Sequence, residues 1–291
     1  MFSASDVKTL REKTGAGMLD CKKALDECAG DIEKAVDWLR EKGIAKAAKK
    51  TDRIAAEGLA AIFTNGNKAL VLEVNSETDF VAKNDEFKNF VNTVGEAILN
   101  SEAKTLEEAK NIEVNGETIE SLTIALTAKI GEKISIRRFE ILTKNDGEVF
   151  GSYIHMGGRI ASLVKITGND SNVAKEVAMH AAAMRPLFVN ESEVPSDVLD
   201  KEKEIMRQEL LNEGKPEDKI DNILVGKVRK YYEEVCLENQ IYVKAENKET
   251  VGKFLEMNNS KLISMVRFEV GEGMEKRNED FASEVMSQIN G

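Results

Sequence analysis

The chain has 291 residues, 42% of them hydrophobic and 32% charged, with a formal net charge of −11. That length predicts about two domains, the acidic balance opposes a direct nucleic-acid partner, and no run approaches the roughly 18 apolar residues that span a bilayer. Three cysteines without a close pair (Cys21, Cys28 and Cys236) and an N-terminus lacking a signal-type apolar core point to a reducing, cytoplasmic compartment with no membrane partner.

Scarcity excludes more. Two histidines, His155 and His180, cannot build a multi-His metal site, and any catalytic triad must use one of them. Neither a GxxxxGK[ST] phosphate loop nor a GxGxxG turn after a strand is present, the pieces at 14–17 and 270–274 being too short. No metal, no cofactor and no bond-making chemistry are expected, and the composition leans towards binding.

Residues 3–53 read as three short helices. Ser5 caps a first, which contains Val7 and Leu10 and ends at Thr14-Gly15. A second sets Met18, Leu25 and Cys28 on an apolar side and stops at Gly30. Asp31 caps a third that carries Ile32, Ala35, Val36 and Leu39 and closes at Gly43. So small a core reads as a separate module on a tether. Its charge differs too: residues 1–53 hold 12 Lys and Arg against 10 Asp and Glu, leaving 29 against 42 for the rest. Lys42, Lys46, Lys49, Lys50 and Arg53 lie either on a solvated helix running into a linker or on a docking surface for an acidic partner.

After Gly58 the period alternates. Leu59–Phe63 and Ala69–Val74 are strands joined across Asn65-Gly66-Asn67, a hairpin signal. A polar loop over 75–84 precedes a helix carrying Phe87, Phe90, Val91, Val94 and Ile98. Ile130-Gly131 reads as a helix stop before a strand over Ile134–Leu142. The order then repeats: strands Phe150–Ile154 and Ile160–Ile166 around Met156-Gly157-Gly158, a helix through Val173, Val177, Ala181 and Met184 ended by Pro186, and a last strand. That strand, ISMVRFE at 263–269, shares five of seven residues with ISIRRFE at 134–140. Two related α+β subdomains follow, each a three-stranded antiparallel sheet with helices on one face. The second copy carries a long insertion: Ser196–Gln240 reads as two amphipathic helices around Gly214-Lys215-Pro216, a projecting helical hairpin that serves either as core cover or as an oligomerisation or partner arm.

Within the polar loop, Phe80 and Val81 stand out as apolar. Either Phe80 staples the following helix against Phe87, a role Val81 or Ala82 can also fill, or it projects beside Asp79 as a wedge next to a charge. His155 in the second hairpin is a polar turn residue or presses on a partner, and His180 is packed or half-exposed against the sheet.

Five stretches, TGAGMLDCKKAL at 14–25, TDFVAKN at 78–84, HMGGRIASLV at 155–164, MHAAAMRP at 179–186 and RFEVGEGMEK at 267–276, together resemble bacterial elongation factor Ts, in the same order over nearly the whole chain. The resemblance implies a nucleotide-exchange factor whose partner is the GTPase elongation factor Tu. It implies a UBA-like three-helix module over 1–53, core subdomains over 54–142 and over 143–195 with 241–273, a coiled-coil hairpin over 196–240, and a C-terminal helical module over 274–291. It implies that Asp79 and Phe80, within Thr78-Asp79-Phe80-Val81, insert into the partner and disturb its magnesium site. Ile130, Gly131 and His155 are implied as further contacts, as are Met18 and Lys23 of the first module. Family members often carry Gln-Pro-Phe-Val where this chain has Gln240-Ile241-Tyr242-Val243, so the loop loses a constraining proline at the implied contact Val243. Some relatives dimerise, and a homodimer or 2:2 complex through the hairpin is one implied arrangement.

Overall fold

A computed structural model describes residues 2–275. The described residues fall into two compact units: 2–61, 72–139 and 269–275 form one, 62–71 and 140–268 the other.

The first unit opens with α1 (Ala4–Thr14), α2 (Met18–Glu27) and α3 (Ile32–Ala48). Ser3, not Ser5, caps α1: its Oγ accepts the Asp6 N–H while the Asp6 carboxylate reaches back to the Ser3 N–H, a reciprocal capping box that Ser5, with Lys8 three residues on, cannot make. Helix α2 buries Cys21, Ala24 and Leu25 but leaves Met18 exposed, so Met18 does not belong to the apolar side. The chain leaves α2 through left-handed Ala29 and Gly30, with the Ala29 N–H on the Asp26 carbonyl and the Gly30 N–H on Leu25.

Helix α3 does not close at Gly43. It continues to Ala48, and Gly43 faces α7 (Ile119–Ile130), where a Cβ would already touch that of Ala128 at 3.6 Å. Helix formers on both sides and packing on α7 outweigh the roughly 1 kcal/mol penalty of an interior glycine. The expected tether is therefore a docked helix.

Strands β1 (Glu57–Asn65), β2 (Lys68–Ser76) and β5 (Ser135–Thr143) form an antiparallel sheet in the order β1-β2-β5. The expected 75–84 loop is shorter than read: β2 runs to Ser76, and α4 (Asp79–Lys83) follows directly. Helix α5 (Asp85–Leu99) buries the expected stripe of Phe87, Phe90, Val91, Val94 and Ile98. Helix α6 (Leu106–Lys110) and a small hairpin, β3 (Glu113–Val114) with β4 (Glu117–Thr118), lead into α7. Asn115-Gly116, both at positive φ, makes that turn.

Glu73 of β2 is wholly buried. It accepts hydrogen bonds from Arg138 Nε at 2.6 Å, Arg137 Nη1 at 2.9 Å, the Gly271 N–H at 2.9 Å and Asn75 Nδ2 at 3.2 Å. One carboxylate thus ties β2, β5 and the 269–272 turn together.

In the second unit, β6 (Glu148–His155) and β7 (Ile160–Thr167) pair antiparallel from Glu148↔Thr167 to His155↔Ile160, and β8 (Leu262–Glu269) joins β7. Both sheets place the third strand beside the second strand of the hairpin, as the repeated sequence order predicts. Helix α8 (Ser171–Met184) packs so closely on β6 that Gly151 has no room for a Cβ, which would lie 2.0 Å from the Ala174 carbonyl carbon. The core here gathers Val164, Ile166, Val173, Val177, Ala181, Leu237, Val251 and Leu255.

The insertion is α9 (Ser196–Asn212) and α10 (Glu217–Val235), an antiparallel pair bridged by Arg207 to Asp221 and by Lys227 to Glu209. Only Leu210 and Ile220 of its two helices are fully buried, so it adds little core cover. Helix α11 (Val251–Met257) precedes β8. From 276 onward, the expected C-terminal module lies outside the described residues.

Candidate functional site

The Thr78–Val81 segment begins two residues beyond the end of β2. Thr78 is extended (φ −127°) and caps α4, its Oγ1 accepting the Val81 N–H at 3.4 Å. Asp79 is the first helical residue and pairs with Lys83, one turn on, at 2.6 Å. The Lys83 hydrogen bond holds its carboxyl below the usual carboxylate range. Val81 and Ala82 are 7% and 6% exposed and anchor the helix, whereas Phe80 is 81% exposed. The staple reading of Phe80 is thereby overturned: an apolar ring is held out in solvent.

The support beneath it is ionic. Glu132 accepts from the Thr78 N–H at 3.0 Å and from Thr78 Oγ1 at 2.7 Å. Reciprocally, Glu77 accepts the Lys133 N–H at 2.7 Å and binds Arg53 at 3.2 Å. Lys133 Nζ donates to the Thr51 and Arg53 carbonyls, and Lys50 Nζ donates to the Gly131 carbonyl at 2.5 Å. Gly131, at φ +87°, is the left-handed cap of α7 that turns the chain so that residues 132 and 133 face 77 and 78. Two of the implied contact segments, Thr78–Val81 and Ile130-Gly131, are therefore brought together by the fold.

Met18 and Lys23 lie on α2, both exposed. Leu19, 83% exposed, stands beside Met18 at 61%. With Phe2 and Val7 they floor a hollow of about 450 Å³ rimmed by Lys8, Arg11 and Lys22. Sequence reasoning passed over Leu19, although an adjacent apolar pair opening a helix after glycine is a readable signal.

His155 and Val243 belong to the second unit. His155 is exposed at the hairpin end, its ring stacked on Tyr153 with the hydroxyl 3.4 Å from Nδ1; Ile154 and Met156 beside it are 47% and 74% exposed. Val243 exposes its side chain, but its N–H donates to His180 Nδ1 at 3.2 Å. His180 is wholly buried rather than half-exposed, with Nε2 3.0 Å from Gln240 Oε1, and burial lowers its pKa. Gln240 in turn donates to the Met184 and Glu234 carbonyls, and buried Tyr242 stacks on Phe254 and donates to Glu176 at 2.8 Å. Around Ile241, where the resemblance implies a proline, hydrogen bonds of the His180, Gln240 and Tyr242 side chains hold the loop.

Among the described residues no group of three or more His, Cys, Asp or Glu side chains is arranged to hold a metal ion. No described helix is long and apolar enough to cross a membrane.

Large apolar side chains thus stand exposed at two helix starts, Phe80 on α4 above the Glu132–Thr78 clasp and Met18 with Leu19 on α2. The family model described as elongation factor Ts matches residues 77–272, well over half of the chain and including the Thr78–Val81 segment, the Gly131 turn, β5 of the first sheet, the whole second sheet and the helical hairpin. The chain belongs to the elongation factor Ts family, and its role is that of an elongation factor in translation.

Proposed function

We propose that this protein is a guanine-nucleotide exchange factor that binds elongation factor Tu in its GDP form and speeds GDP release in the cytoplasm. The observation that carries the reading is Phe80: a phenyl ring 81% exposed at the start of a clasped helix, beside the charge of Asp79. Inserted between packed helices of the partner, the ring displaces an element near the bound magnesium ion, and phosphate contacts loosen. Asp79 is repelled by phosphate and satisfied by backbone N–H groups or a basic side chain uncovered by the shift. Ile130, Gly131 and His155 extend the contact, residues 1–53 dock as a UBA-like module through Met18 and Lys23, and Val243 adds a further contact. The C-terminal module over 274–291 engages a distant part of the partner, and the hairpin over 196–240 acts as a coiled-coil arm that can pair two complexes.

The energetics suit a binder. A nucleotide held at nanomolar affinity is bound by about 12 kcal/mol, and a ~10⁴-fold faster release takes roughly 5.5 kcal/mol off the dissociation barrier. Preference for the nucleotide-free partner supplies that difference, and linkage makes it reciprocal: nucleotide weakens the factor equally. No bond in this protein changes.

The test follows release of a fluorescent GDP analogue from elongation factor Tu. Wild type accelerates release, and a folded Asp79→Ala/Phe80→Ala variant does not. Absence of acceleration by wild type sinks the exchange function; acceleration that survives in the variant moves the mechanism away from this segment.

A further inference from the structure

We propose that Glu132 is a positioning residue that sets the direction of Phe80, resting on the exchange reading above. The Glu132 carboxylate spends both oxygens on one residue 54 positions away, taking the Thr78 N–H and the Thr78 hydroxyl. Thr78 is the N-cap of α4, so fixing its backbone and its Oγ1 together fixes the line along which α4 leaves the sheet, and Phe80 is the second residue on that line. A five-residue helix has almost no stability of its own. What holds α4 is the burial of Val81 and Ala82 on one side and this clasp at its start. Glu132 is itself fixed by its surroundings: Gly131 turns the chain in the left-handed region, Lys50 holds the Gly131 carbonyl, and the Lys133 N–H is taken by Glu77.

Without the carboxylate, Thr78 keeps its place in the chain but α4 leaves it over a range of directions. The rest of the surface still docks, while the ring enters the partner in fewer encounters. The kinetic signature is a split: the maximal rate of nucleotide release falls about tenfold, and the concentration giving half-maximal rate moves by less than about threefold. Glu132→Gln separates geometry from charge, because its amide oxygen still accepts the Thr78 N–H and its amide NH₂ donates to Thr78 Oγ1.

The experiment titrates full-length wild type, Glu132→Ala, Glu132→Gln, Phe80→Ala and the Glu132→Ala/Phe80→Ala double variant against elongation factor Tu loaded with a fluorescent GDP analogue. It also measures amide hydrogen exchange over residues 77–83 in the unbound chains. The expected results are a tenfold lower maximum for Glu132→Ala with faster amide exchange, restoration of both by Glu132→Gln, and no further loss when Glu132→Ala is added to Phe80→Ala. Should Phe80→Ala release nucleotide as fast as wild type, the wedge reading fails and takes this proposal with it. A slow Phe80→Ala beside a fast Glu132→Ala, losses that multiply in the double variant, or a Glu132→Gln as slow as the alanine each overturn the positioning role alone.

Discussion

Glu73 gives the sharpest stability prediction. Burial by itself pushes its carboxyl up, but the Gly271 N–H and the Arg137 and Arg138 guanidiniums outweigh burial and hold it below the usual range. Glu73→Gln removes the charge and turns an NH₂ towards donors that need an acceptor. Breaking a buried ion pair costs about 3–5 kcal/mol. Here Arg137 and Arg138 remain 24% and 31% exposed and regain some water, which puts the loss near the lower end, at about 3 kcal/mol. In a chain of this size that lowers the melting temperature by roughly 6–10 °C. The pH dependence follows from the sign. A folded pKa lower than the unfolded one stabilises above the unfolded value, and that stability is lost as pH falls through the folded value. Wild type therefore loses part of its stability below about pH 4.5, and the glutamine variant loses less over the same range. Urea denaturation of both proteins between pH 7 and pH 3 measures it. A difference under about 1 kcal/mol at pH 7, or parallel pH profiles, refutes the reasoning.

Phe80→Ala removes a ring that is almost wholly in solvent, so its melting temperature stays within about 2 °C of wild type, while burial of that ring by a partner, worth about 1.5–3 kcal/mol, is lost and nucleotide release slows by roughly 10–100-fold. His180, neutral with Nδ1 accepting from Val243, has a lowered folded pKa; its stabilisation is full above the unfolded value of about 6.5 and declines as pH falls below it. A His180→Gln variant, whatever its stability at pH 7.5, shows a flatter profile down to pH 5 in chemical denaturation. Gly151→Ala drives a methyl into the α8 backbone and destabilises by about 3 kcal/mol in the same measurement, with wild-type stability as the contrary result.

Much of this fold is legible in local pattern. The stripe in α5, the Asn65-Gly66-Asn67 turn and the resemblance of 134–140 to 263–269 each carry a period or a turn residue, and the structure follows them. What escaped was set by tertiary neighbours. Gly43 looks like a stop until α7 lies against it, and the buried state of His180 depends on Gln240 and Val243, some 60 residues on. At the site, the Thr-Asp-Phe-Val segment announces itself as apolar residues in a polar connection. Its support does not: Glu132, Glu77 and Lys133 are ordinary charged residues in sequence, and no periodicity links positions separated by 54 or 56 residues.

That separation has a consequence during synthesis. A ribosome extends the N-terminal part first, so Thr78 is made well before Glu132, and β2 before the strand that supplies Arg137 and Arg138. A nascent chain ending before residue 132 carries Phe80 on a segment that has no carboxylate to anchor it and lacks β5, the third strand of its sheet. The exposed ring acquires its direction only after the turn at Gly131 has been translated and folded back. An incomplete chain thus carries the motif without the stance, and only the finished unit presents it to a partner.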